Sequence, residues 1–135
     1  MASTNRFIGV GTVAGIHGDL DGKWVSIGEG DRQAVLQQTK QERTACFILR
    51  MTDAYTDSQR RIRETSEDAY VLVHPAASKT VLEHWALGDI VSVEGTLATI
   101  RESLGSGNIQ YHLIVRGNKK VQHIHSPTRS EYVPS

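Results

Sequence analysis

Residues 75–100 read PAASKTVLEHWALGDIVSVEGTLATI, with Pro75 at the start, Gly88 in the middle and Ile100 at the end, and a change of period within this stretch decides the fold. Pro75 suits a first helical turn, where its missing N–H has no intrahelical partner to lose. Ala77, Val81 and Trp85 then recur at i, i+4 and i+8, and Gly88 stands where a helix stops. The stretch therefore predicts a helix of roughly ten residues. From Ile90 the period falls to two and β-branched residues dominate, which predicts a strand over residues 90–100, interrupted at Gly95.

Outward from this pivot, further strands flank the helix. Residues 7–13 alternate apolar with small side chains and end near Gly15, a first strand; the Gly9, Gly11, Gly15 spacing and the helix-poor His17-Gly18-Asp19 that follows do not make a dinucleotide fingerprint. Residues 44–52 form a second strand, with Ala45, Phe47, Leu49 and Met51 on one face and Cys46, Ile48 and Arg50 on the other. A polar stretch over residues 53–67 reads as a long exposed hairpin tip leading into a third strand at residues 70–74. Beyond the pivot, residues 104–108 supply a Gly-rich turn and residues 109–115 a fifth strand, in which Tyr111 shares a face with Leu113 and Val115 and reads as core. Residues 16–43 read as a long excursion with a strand candidate at 24–27, while residues 33–40 are either a helical turn or a polar extension of the next strand. The order strand, strand, strand, helix, strand, strand is that of an all-β, five-stranded OB-fold Greek-key barrel with its short helix between strands three and four. Residues 1–120 are assigned to this domain and 121–135 to a flexible tail, because pattern fades after Lys120 and Pro127 and Pro134 appear.

The 135 residues suit one domain, and 39% apolar with 22% charged residues is ordinary for a globular chain. No apolar run reaches the ~20 residues of a membrane helix. The opening residues lack a secretory layout, which points to an intracellular chain: cytoplasmic or nucleoid-associated, or mitochondrial if it is a processed eukaryotic product. A single cysteine, Cys46, excludes an internal disulfide and a Cys-cluster zinc site. Fifteen basic residues balance fifteen acidic ones, yet no acid occurs between Ser103 and Ser130, and Arg60, Arg61 and Arg63 make a second basic knot. A neutral chain can thus carry a basic track, which is what phosphates feel.

Three segments carry a family resemblance. The opening Asn5-Arg6-Phe7-Ile8-Gly9-Val10-Gly11, the run from Leu87-Gly88-Asp89 to Val93-Glu94-Gly95-Thr96-Leu97, and the strand Ser66-Glu67-Asp68-Ala69-Tyr70-Val71-Leu72-Val73 resemble the corresponding parts of the single-stranded-DNA-binding protein family. The resemblance implies bases stacked on aromatic side chains along a basic groove. Of the aromatic positions it implies, one is kept as Tyr55, while others fall on Asp68, His74 and Glu102; Tyr70 lies two residues from Asp68 and is a substitute.

The expected nucleic-acid contacts are therefore Tyr55 and Tyr70 as platforms, with Arg50, Arg60, Arg61, Arg63, Arg101, Lys119 and Lys120 on phosphates. The alternatives are plain: strand aromatics also pack half-buried sheets, and a basic loop can be merely solvated. Trp85 reads as core, and Trp24 as a packing or partner contact. His123 and His125 form an H-x-H pair without a visible third ligand, and no Gly-x-Ser-x-Gly elbow or metal-loop spacing occurs, so no catalytic residue, metal or cofactor is assigned. The expected function is sequence-tolerant single-stranded-DNA binding in replication, recombination or repair, by a homodimer or homotetramer, with RNA as a second ligand option. The alternative is an OB-fold protein-interaction subunit, either a primosomal protein or a scaffold in an RNA-processing complex.

Overall fold

The computed structural model describes residues 4–127. Its elements are β1 (Phe7–Leu20), β2 (Lys23–Gly28), α1 (Gln33–Glu42), β3 (Ala45–Thr56), β4 (Ile62–Val73), α2 (Pro75–His84), β5 (Ile90–Gly105) and β6 (Asn108–His125). The strand order β1-β3-β4-β6-β5 closes on itself because β1 also pairs with β5, giving the five-stranded barrel, with β2 as a hairpin extension of β1. Every pairing is antiparallel except β4–β6, which is parallel over Val71↔Val115 to Val73↔Gly117. The helix between the third and fourth barrel strands is α2, and Val81 and Trp85 are buried on the stripe that the i, i+4, i+8 spacing picks out. His74 caps α2 by accepting a hydrogen bond from the Ala76 N–H at Nδ1.

Two cores form on opposite faces of the same strands. Inside the barrel, Val13, Phe47, Leu49, Val71, Val91, Val93 and Val115 pack with Val81 and Trp85 of α2, and Phe47 meets Trp85 edge-on at 5.1 Å. Outside it, α1 lays Val35 and Leu36 on Cys46, Ile48, Tyr70, Leu72, Ile100 and Ile114. The second face of β3 is therefore as buried as the first, and burial pushes the Cys46 thiol up to about 11. Helix α1 is bolted down at its end by Glu42, which accepts both Arg116 guanidinium bonds at 2.8 and 3.0 Å. It stops at Arg43, whose left-handed φ of 52° lets its N–H reach the Lys40 carbonyl. The ambiguous 33–40 stretch is thus helix, and its apolar residues cover the barrel wall.

All five barrel strands run longer than the sequence expectation, β5 reaching Gly105 rather than residue 100. β1 runs on to Leu20, because Lys23–Gly28 folds back on it around buried His17, whose ring bonds Ser26 Oγ and the Glu29 carbonyl. β3 and β4 extend through the expected loop, leaving only residues 57–61 as the turn. β6 continues to His125, with Val91↔His123 and Ile90↔His125 in register, so residues 121–125 belong to the barrel rather than to a tail. Residues 128–135 of that tail lie outside the described residues. Gly95 sits at a register break in β5, where a Cβ would lie 1.8 Å from the Arg116 carbonyl oxygen, so no side chain fits there.

Candidate nucleic-acid interface

Because β4 and β6 run parallel where they touch, the two hairpins that lead into them leave the barrel at the same end. The β3–β4 hairpin keeps one register from Cys46↔Leu72 to Thr56↔Ile62. Side chains alternate strictly in such a ladder. The face that carries Phe47 and Leu49 into the inner core therefore continues outward as Met51, Asp53 and Tyr55, opposite Glu67, Thr65 and Arg63. The β5–β6 hairpin behaves likewise: the face of Val115 continues as Leu113, Tyr111 and Ile109, opposite Thr99, Arg101 and Ser103. It turns over Ser106 and Gly107, both at positive φ (52° and 77°), as a two-residue hairpin of matching twist requires.

Tyr55 is 51% exposed near the tip of the first hairpin and directly opposite Arg63. The tip is ordered by Asp57, whose carboxylate accepts the Gln59 and Arg61 backbone N–H groups and pairs with the Arg61 and Arg63 guanidiniums. The Arg61 backbone N–H, then the Arg63 side chain, hold the Asp57 carboxyl below its usual range despite some desolvation. One carboxylate against Arg60, Arg61 and Arg63 leaves the tip positive. Nearer the barrel, Asp53 and Glu67 face the same way, so phosphate is favoured at the tip and disfavoured lower down.

Other expected contacts sit elsewhere. Tyr70 is 8% exposed, lies under α1, and accepts the Asp31 and Arg32 N–H groups at its hydroxyl, with the Arg32 guanidinium 5.4 Å from its ring. It offers no face to a base, because the excursion covers its side of β4. Arg50 points to that outer side as well and is spent on Asp68, bidentately at 2.9 Å, and on Glu29, an arrangement that raises its pKa further. Lys119 and Lys120 lie in β6, eight and nine residues beyond Tyr111, or ~25 Å of extended chain away from the hairpin rim, with Lys120 opposite Glu94. Arg101 is exposed on the β5–β6 hairpin, opposite Tyr111. The three positions where the resemblance implies an aromatic and this chain has none are all in structural use: Asp68 pairs with Arg50, His74 caps α2, and Glu102 meets His112 at 3.0 Å.

Tyr111 reverses the sequence expectation. It is 62% exposed and Leu113 60%, although both share a face with buried Val115. The face was legible; what the periodicity could not show is that the hairpin outruns the barrel, so only its Val115 end has a roof. The signal was the length of patterned sequence on both sides of the Gly105–Gly107 turn, longer than a small barrel wall needs. Trp85 is core as expected, and Trp24 is half-buried beneath the Lys40 ammonium at 4.8 Å. His123 turns its Nε2 to Asp89, at 3.0 Å, and to Ser126. Among the described residues no group of three or more His, Cys, Asp or Glu side chains is arranged to hold a metal ion, and no helix is long and apolar enough to cross a membrane.

Compared with known proteins, the chain matches no family model, and no curated protein matches it by sequence. Solved structures do match in shape. A Plasmodium falciparum SSB in complex with ssDNA superposes with a TM-score of 0.63 at 14% identity, over 92% of this chain and 97% of that one. A small single-stranded DNA-binding protein from Streptomyces coelicolor gives 0.54 at 17% identity, over 93% and 96%. At these identities the likeness is one of architecture: the chain has the OB fold found in those single-stranded-DNA-binding proteins.

Proposed function

We propose that the chain is a sequence-tolerant single-stranded-DNA-binding protein and not an enzyme, acting in replication, recombination or repair. The observation that carries this reading is the Tyr55–Arg63 cross-strand pair: an open aromatic ring directly across the ladder from an arginine that shares the Asp57 carboxylate with Arg61, at a positive hairpin tip on an OB barrel. A ring serves any base and a cation serves any phosphate, so the pair is indifferent to sequence. The bases need to be unpaired to reach the ring. The two similar structures, both of single-stranded-DNA-binding proteins, support the same reading. It includes assembly as a homodimer or homotetramer, since several weak barrels on one strand raise the apparent affinity, and a DNA-associated compartment.

Titration with dT, rU and duplex oligonucleotides over a range of salt tests it. Single strands should bind above duplex, and log K should fall with log salt by about 0.7 per phosphate contact. Replacing Arg60, Arg61 and Arg63 with Ala should flatten that slope. Binding of duplex as strongly as dT, or of neither, overturns the reading. The second reading, an OB-fold interaction subunit in a primosome or RNA-processing complex, is favoured by the exposed Ile8 and Val10 on β1; failure to bind any oligonucleotide together with tight association to another protein would select it.

A further inference from the structure

We propose that Tyr111 and Arg101 form a second stacking unit, and that a single strand of nucleic acid lies between the two hairpins with bases on both Tyr55 and Tyr111. The assignment rests on the single-strand-binding reading and extends it from one arm to two. The first argument is placement. Tyr55 and Tyr111 each lie on the continuation of an inner-core face, in ladders without a register break between the core and the ring, on hairpins that rise from the same end of the barrel. Each ring has an arginine directly across the ladder, Arg63 for Tyr55 and Arg101 for Tyr111. The same tyrosine-and-arginine pairing across a ladder therefore occurs twice, once on each wall of one opening.

The second argument is what is covered and what is not. The outer face of the β5–β6 hairpin is covered over its barrel half, where Ile100 and Ile114 pack under α1 and His112 is buried against Glu102, while Leu104 near the tip is exposed. The inner face leaves Ile109, Tyr111 and Leu113 open. The barrel half of these two strands is thus covered by α1 on one side while the other side presents an apolar strip to solvent, which calls for an occupant. Charge selects the occupant. Across Leu97, Thr99, Arg101, Ser103, Ile109, Tyr111 and Leu113 the only charged side chain is Arg101. This wall complements the bases, and its one cation the backbone, while Asp53 and Glu67 on the facing wall turn the phosphates of a strand at this level toward Arg101.

The stagger sets a length. Val71 pairs with both Phe47 and Val115, so Tyr55 stands eight residues above that level and Tyr111 four. The difference is ~13 Å of extended chain, so a strand must span several nucleotides to use both rings.

The test compares wild type, Tyr111→Ala, Tyr111→Phe and Arg101→Gln for oligo(dT) affinity, melting temperature and mass by light scattering. Tyr111→Ala should bind long dT roughly 5- to 150-fold more weakly, Tyr111→Phe within about twofold of wild type, and Arg101→Gln should reduce the salt slope by about 0.7. Melting temperatures should stay unchanged, since both side chains are exposed. If wild type binds dT while folded Tyr111→Ala and Arg101→Gln bind as wild type does, the second unit is refuted and the single-strand reading survives. If Tyr111→Ala changes the assembly mass without loss of affinity, the strip is a contact between copies and the proposal fails. If wild type binds no single strand, the parent reading itself has failed.

Discussion

Tyr55, Tyr70 and Tyr111 show how one residue type takes three fates from its surroundings. Tyr70 has its hydroxyl fixed by two backbone N–H groups and its ring under α1, so its value is structural. Tyr70→Phe should therefore cost about 1–3 kcal/mol of stability by stranding those donors, with oligo(dT) affinity unchanged when measured well below the melting temperature. A drop in affinity in a fully folded Tyr70→Phe protein would show that the ring reports on the groove after all. Tyr55 carries the opposite expectation. Its hydroxyl makes no hydrogen bond among the described residues, so Tyr55→Phe should be silent in affinity, whereas Tyr55→Ala should lose about 1–3 kcal/mol of binding with little change in melting temperature. Stacking needs the ring alone.

Among the elements, α1 was the least legible from sequence and changes the architecture most. Its amphipathic stripe is short, with Val35, Leu36 and Thr39 as its buried residues, and it lies in a polar excursion, so periodicity alone left it ambiguous between helix and strand. The barrel and α2 were legible because Pro75, the i+4 repeat and Gly88 give local signals that tertiary packing does not override. The two-sided burial of β3 was half legible: Cys46 and Ile48 advertised an apolar second face, but nothing local named the element that covers it. The Glu42–Arg116 pair ties α1 to β6 and gives a pH signature. Arg116 holds the Glu42 carboxyl below its ordinary 4.5, chiefly through the side-chain hydrogen bond and against some desolvation. A depressed folded-state pKa contributes stability above the unfolded value, and that contribution is lost as pH falls through 4.5 and on through the lowered value. Glu42→Gln should accordingly lose less stability than wild type between neutral and acid pH, as read by melting temperature against pH. The two curves staying parallel would mean that the pair contributes nothing to anchoring α1.

For the whole molecule, the same element weakens one reason for expecting an oligomer. A short chain with a single small barrel core gains stability from partners, but here α1 supplies a second core from within the chain. What still favours a homodimer or homotetramer is the gain from several barrels on one strand. Light scattering at micromolar concentration should give a multiple of the chain mass; a monomer at every concentration would remove assembly from the functional reading. The barrel also imposes an order on the chain's biosynthesis. β1 takes β2 and β3 as early neighbours, but its Phe7–Thr12 half waits for Gly95–Ile90, with Ile8 meeting Glu94. A ribosome adding ~5–20 residues per second needs on the order of ten seconds to cover that separation. Throughout that interval the nascent chain carries an unsatisfied row of backbone donors and acceptors beside two bare aliphatic side chains, so its most hazardous moment for cross-pairing with a neighbour on the same message comes before the last two strands exist.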